Sequence, residues 1–105
     1  MIDENIIRKA ARLLVQAAPG SKVILFGSQA RRESRADSDL DFLVVEPKVS
    51  ARRAEMVRLR NVLRPLRVPV DVLVVSKKIF DEWRETPNTV IYEAAREGQV
   101  LNEMA

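Results

Sequence analysis

The sequence predicts an α/β fold (α+β in stricter schemes), a small β-sheet flanked by helices. Apolar residues recur at helical spacing over 4–17 and 50–66, and short β-branched runs lie at 22–26, 39–45 and 70–75. The alternation continues along the 105 residues without repeats, low-complexity tracts or linkers, so a single domain, 1–105, is expected.

Ile6, Ala10, Leu13, Leu14 and Ala17 place one apolar stripe on a helix over 4–17, with Asp3 positioned to cap it and Pro19-Gly20 to end it. Lys22 to Phe26 reads as a buried strand that Gly27-Ser28 breaks; Gln29 to Arg32 can form a short helix, and Asp37-Ser38 a turn. Asp39 to Val45 is the second strand, closed by Glu46-Pro47. Ser50 can cap a helix running to about Leu66, its core stripe set by Met56, Leu59, Leu63 and Leu66. Val70 to Val75 is the third strand, and 76–84 is a connection with some helical character. Thr86-Pro87 reads as the start of a last helix with Val90, Ile91, Ala94 and Ala95 inward, and Gly98 as its stop.

Composition removes whole classes of chemistry. The sequence has no Cys and no His, which excludes disulfide scaffolds, zinc–thiolate sites, Ser-His-Asp triads and imidazole acid–base catalysis. Catalysis would run on carboxylates, hydroxyls, Lys, Arg or a bound metal. No apolar run is long enough to span a membrane, and Met1 to Asn5 lacks the basic-then-apolar order of a secretory signal, so a cytoplasmic protein is expected. The net charge is +3, with Arg supplying 13 of the 18 cations; this suits anionic partners, and codon bias in a GC-rich genome yields the same excess.

The second strand holds the informative residues. Residues two apart on a strand share a face, so Asp39 and Asp41 project together while Leu40, Phe42 and Val44 point into the helices. Asp39 could be a residue beside a turn, but Asp41 lies inside an apolar run where an unpaired charge is costly. Asp71 repeats the pattern in the third, also central-looking, strand. Two carboxylates about 5 Å apart repel by roughly 3 kcal/mol at an effective dielectric near 20. Such a set shares protons, pairs with Arg in a purely structural role, or holds a cation; oxygen donors alone suit a hard ion such as Mg²⁺. Gly27-Ser28, placed between a buried strand and a short helix, offers close backbone approach, a hydroxyl and free N–H groups to an anion.

Gly27-Ser28-Gln29-Ala30-Arg31, then Ser38-Asp39-Leu40-Asp41, then Asp71 among apolar residues, resembles the nucleotidyltransferase superfamily that includes DNA polymerase β. More narrowly the chain resembles the minimal nucleotidyltransferases (MNT proteins), the antitoxins of HEPN/MNT toxin–antitoxin pairs. The resemblance covers essentially the whole chain, and 93–101 looks like the family's closing helix. It implies a small mixed sheet of the polymerase-β-like fold, and two Mg²⁺ ions held by Asp39, Asp41 and Asp71, with Asp71 also helping to deprotonate the acceptor. It further implies triphosphate binding by Gly27, Ser28 and Arg31, and ATP as substrate. Family members transfer AMP to a tyrosine hydroxyl of a small helical HEPN toxin.

Around this site, Arg53, Arg60, Arg64 and Arg67 fall on one side of the 50–66 helix and its end, as a solvated face or a docking surface for an acidic partner or for RNA. Trp83 and Tyr92 read as core or rim packing, or as interface anchors. No basic stripe interleaved with aromatics is present, which argues against nucleic acid as a direct ligand. Larger members of the family that the chain resembles add a helical domain that walls the base and acceptor pockets, so a second copy or another chain is expected to supply that wall here. Two rival readings stand beside the partner-modifying enzyme: a binding module that neutralises its partner by occlusion, and a nucleotidyltransferase acting on a small molecule.

Overall fold

The computed structural model describes residues 4–27 and 39–104. In chain order the elements are α1 (Glu4–Ala17), β1 (Lys22–Phe26), β2 (Leu40–Glu46), α2 (Arg52–Val62), β3 (Val70–Ser76), α3 (Lys77–Trp83), α4 (Val90–Glu97) and β4 (Gln99–Val100), with 3₁₀ turns at Arg64–Leu66 and Asn102–Met104. The strands form one mixed sheet in the order β3-β2-β1-β4. β1 pairs antiparallel with β2 and β4, whereas β2 and β3 are parallel and joined through α2. The expected short helix at 29–32, the turn at Asp37-Ser38 and the Asp3 cap lie outside the described residues.

The strict alternation along β2 makes two cores. Leu40, Phe42 and Val44 join Val23, Leu25, Val72 and Val74 against Ala10, Ala11 and Leu14 of α1 and Leu59 of α2. The predicted stripe of Met56, Leu59, Leu63 and Leu66 packs into this layer. Leu43 and Val45 face the other way, with Ile24, Phe26, Leu73 and Val75 against Phe80 of α3 and Ile91, Ala94 and Ala95 of α4. Each face of the sheet thus loses its apolar side chains to a helical layer, at roughly 1.5–3 kcal/mol per fully buried large side chain.

Five expectations are corrected. The helix expected over 50–66 starts at Arg52, after Ala51 rather than a capping Ser50, and ends at Val62. Pro65 has no N–H and would crowd the carbonyl four residues back, so the chain tightens into a 3₁₀ turn there. The last helix starts at Val90, not at Pro87: Thr89 caps it by accepting the Tyr92 N–H at 3.1 Å, and Asn88 before it has φ +68°. Val90, expected inward, is therefore 45% exposed in the first turn. Residues 93–101 are not one helix, because Gly98 ends α4 and β4 then runs along β1. A Cβ at Gly98 would lie 2.5 Å from Ile24 Cγ2, so only glycine lets the chain come this close. Finally, β3 is an edge strand rather than a central one; Arg52 Nε donates to the Val74 carbonyl at 2.7 Å.

Candidate active site

Parallel pairing of β2 and β3 sets Asp41 opposite Asp71 in register. Asp41 shares the face of Leu43 and Val45, and Asp71 that of Leu73 and Val75, so both carboxylates belong to the α3/α4 side of the sheet. Both stand near the strand starts, at the end of the sheet where β1 finishes, with Phe26 paired to Asp41. Asp39 lies just before β2 and is exposed; the strand begins at Leu40, whose N–H donates to the Pro69 carbonyl at 3.0 Å.

The two strand aspartates differ in environment. Asp41 is half-buried, and its carboxyl is raised above the ordinary aspartate value, first by desolvation and then by the charges of Asp71, Asp39 and Glu93. Asp71 is exposed on the edge strand, its side chain 52% accessible, and Arg60 Nη2 stands 4.0 Å from its Oδ1. The cost-of-burial argument therefore holds for Asp41 and not for Asp71. A 4.0 Å contact between exposed groups is a weak tether, which does not make a fold-holding ion pair of Asp71.

Gly27 ties the end of β1 to this carboxylate. Its φ is +79°, and a Cβ there would sit 2.5 Å from Asp41 Oδ2. The missing side chain is thus the space in which the Asp41 carboxylate lies. Ser28 and Arg31, the other two residues expected to hold phosphates, lie outside the described residues.

Among the described residues no three carboxylates already stand as a finished metal cluster. The donor set still fits a hard cation: Asp41 has three negative neighbours acting on it, all its potential ligands are oxygens, and Gly27 leaves the approach open. Glu93, on the outward side of α4, is the member of this acidic group that sequence reading missed. Its position on a helix reads as a solvated glutamate, and only the packing of α4 across the sheet brings its charge to bear on Asp41.

Comparison with protein families decides the matter. Residues 7–99 match the family described as nucleotidyltransferase domain. The chain belongs to that family. The matched span runs from α1 to β4 and includes Gly27, Asp39, Asp41 and Asp71, so this nucleotidyltransferase carries its acidic residues within the family's own region. A toxin–antitoxin crystal structure with AMP-PNP aligns with a TM-score of 0.65 and 22% identity, covering 95% of this chain and 73% of that one. A mutant MntA–HpeT toxin–antitoxin with two Asp-to-Glu substitutions aligns at 0.64 and 20%, covering 95% and 72%. A further MntA–HpeT mutant, with a Tyr-to-Ala substitution, gives 0.65 and 21%, covering 96% and 72%. These likenesses establish a shared fold. The curated proteins give no match.

Of the expected surroundings, Arg53, Arg60, Arg64 and Arg67 are all exposed, and Arg60 is the one that reaches the site. Trp83 is 46% exposed on α3, and Tyr92 is half-buried on α4 with the Arg96 guanidinium 5.3 Å from its ring centre. No helix among the described residues is long and apolar enough to cross a membrane.

Proposed function

We propose that this nucleotidyltransferase is a Mg²⁺-dependent protein adenylyltransferase that moves AMP from ATP to a tyrosine hydroxyl of a helical HEPN-type toxin, and so acts in the cytoplasm as its antitoxin. The observation that carries the reading is the in-register pair Asp41 and Asp71, with Gly27 making room for the Asp41 carboxylate. The solved relatives are toxin–antitoxin complexes, one of them with an ATP analogue, which supports both the partner class and the nucleotide.

In this reading Asp39, Asp41 and Asp71 hold two Mg²⁺ ions, which would neutralise the triphosphate and lower the charge barrier to attack. Gly27 lets the backbone approach the phosphates, Ser28 adds a hydroxyl donor, and Arg31 adds a bidentate cation. The acceptor oxygen bonds to the α-phosphorus, the bond from that phosphorus to the bridging oxygen breaks, and pyrophosphate leaves. Asp71, the more exposed carboxylate of the in-register pair, would take the hydroxyl proton. Nothing else is asked of the chain except positioning.

The test is co-expression with the protein encoded beside it, followed by the partner's intact mass after ATP and Mg²⁺ are added. The expected result is a mass gain in whole AMP units that the Asp39→Ala, Asp41→Ala double variant does not give. A stable complex of unchanged mass would instead establish neutralisation by occlusion, and absence of any complex would point to a small-molecule acceptor.

A further inference from the structure

Between Arg52 and Arg67 the sequence holds six arginines and a single acidic residue, Glu55. A helix face that meets only water ordinarily interleaves the two signs. Opposite charges three or four residues apart stabilise a helix, and like charges destabilise it. Codon bias accounts for arginine in place of lysine and leaves the missing acids unexplained. Two of the six are engaged within the fold: Arg58 with Glu55 at 2.7 Å, and Arg52 with the Val74 carbonyl at 2.7 Å. Arg53, Arg64 and Arg67 are exposed and, among the described residues, have no carboxylate within ion-pair distance.

These side chains lead toward the acidic site. α2 joins the parallel strands β2 and β3 and so runs back along β3: Arg52 at its start meets Val74, and Arg60 near its end stands 4.0 Å from Asp71. Arg53, Val57 and Arg60 share one stripe of the helix, and Arg64 and Arg67 continue the positive charge through the 3₁₀ turn. Val57, in the middle of the stripe, is 53% exposed, an apolar side chain on an otherwise cationic surface. The stripe thus ends at the carboxylate that takes the acceptor proton in the proposed reaction.

We propose that this arginine stripe is the docking surface for the acceptor protein, met by an acidic patch on that protein with an apolar side chain against Val57. The inference rests on the transferase reading and adds to it the surface that would carry the acceptor hydroxyl to Asp71. An acidic partner relieves the repulsion that Arg53, Arg64 and Arg67 keep in the free chain. Nucleic acid fits less well. Its phosphates would run past Arg60 into the like charges of Asp71, Asp41 and Asp39, and residues 52–67 hold no aromatic ring for a base to stack on.

Affinity is measured by calorimetry between the full chain and the protein encoded beside it, purified separately, with MgATP binding to the chain measured alongside. The Arg53→Glu, Arg64→Glu double variant is expected to weaken the complex by about tenfold and to flatten its salt dependence, with MgATP affinity as in the parent. Lys77→Glu, Lys78→Glu makes the same change in net charge on α3, which packs on the opposite face of the sheet, and should leave the complex unchanged. Equal weakening by both double variants would reduce the effect to net charge and overturn the inference. Parallel loss of MgATP binding in the arginine variant would mean that the stripe supports the fold, and would overturn it as well. So would an arginine variant that binds the partner as tightly as the parent; loss of single-stranded RNA binding in that variant would then give the stripe to RNA. A complex that forms but receives no AMP would contradict the transfer reading and leave the docking result standing, whereas no complex with the unmodified chain would overturn both.

Discussion

Asp41 is more basic than an ordinary aspartate because it is half-buried with three like charges acting on it, and this makes a prediction with a definite sign. A carboxyl raised in the folded state contributes stability that is complete below its unfolded value and is lost as pH rises through its folded value. At neutral pH the ionised group therefore opposes folding. Asp41→Asn should raise the urea midpoint at neutral pH while abolishing nucleotidyl transfer. The gain should vanish in acid, below the unfolded aspartate value of 3.8. A variant no more stable at neutral pH would show that the repulsion is relieved in some other way.

Gly27 carries the complementary prediction. Alanine there would meet a backbone at φ +79° and an Asp41 oxygen 2.5 Å from its Cβ. Gly27→Ala should lower stability by about 1–3 kcal/mol and remove activity by displacing the Asp41 carboxylate; thermal melts and a transfer assay read the two effects. Retained activity would disconnect Gly27 from the site.

Among the elements, the end of β2 and the start of α2 hold a second ionisable pair, at the other end of β2 from Asp41. The Glu46 carboxyl at the end of β2 is pushed up to about 7, first by burial and then by its hydrogen bond with Glu55 and that group's charge. Glu55 is held down at about 2, chiefly by Arg58, whose Nε and Nη2 each donate to it at 2.7 Å. Protonated Glu46 is thus the partner of ionised Glu55. The Glu46 share of stability is full below 4.5 and disappears as pH rises through about 7; the Glu55 share is present above 4.5 and disappears as pH falls through about 2. Glu46→Gln, which keeps a donor at all pH values, should match the parent near pH 5 and exceed it in denaturant midpoint near pH 8. Identical pH profiles for the two proteins would refute the shared proton.

The elements also mark where the sequence was readable. α1 and β1 were bounded to the residue, since Pro19-Gly20 and Gly27 stop them by backbone chemistry. The end of α2 was set four residues too late, because the Leu59, Leu63, Leu66 spacing fits a 3₁₀ continuation as well as an α-helix. β4 could not be found at all. Two residues have no period, and their pairing with Leu25 and Ile24 depends on a close approach at Gly98 that becomes visible only in three dimensions.

For the molecule as a whole, the same division holds at the site. Asp41 stands out in the sequence because a charge in an apolar strand violates the local pattern, and the parallel β2–β3 register sets Asp71 opposite it. Asp39, just before β2, and Asp71, on the edge strand, are exposed, so the same burial argument does not reach them. The influence of Glu93 on Asp41 was not legible, since a helix's outward face carries glutamate without breaking any pattern. The edge position of β3 was hidden as well: its apolar residues face two helical layers, so it reads like a central strand although, among the described residues, no strand pairs with its other side.

The central claim is that the carboxylates of this sheet drive transfer of a nucleotidyl group and not of a terminal phosphate. The direct measurement is label transfer to the co-purified partner from ATP labelled at the α- or the γ-phosphorus, with Mg²⁺ present. The account predicts label from the α position only, and none with the Asp39→Ala, Asp41→Ala double variant. Label from the γ position, or α label that survives the double substitution, would contradict it.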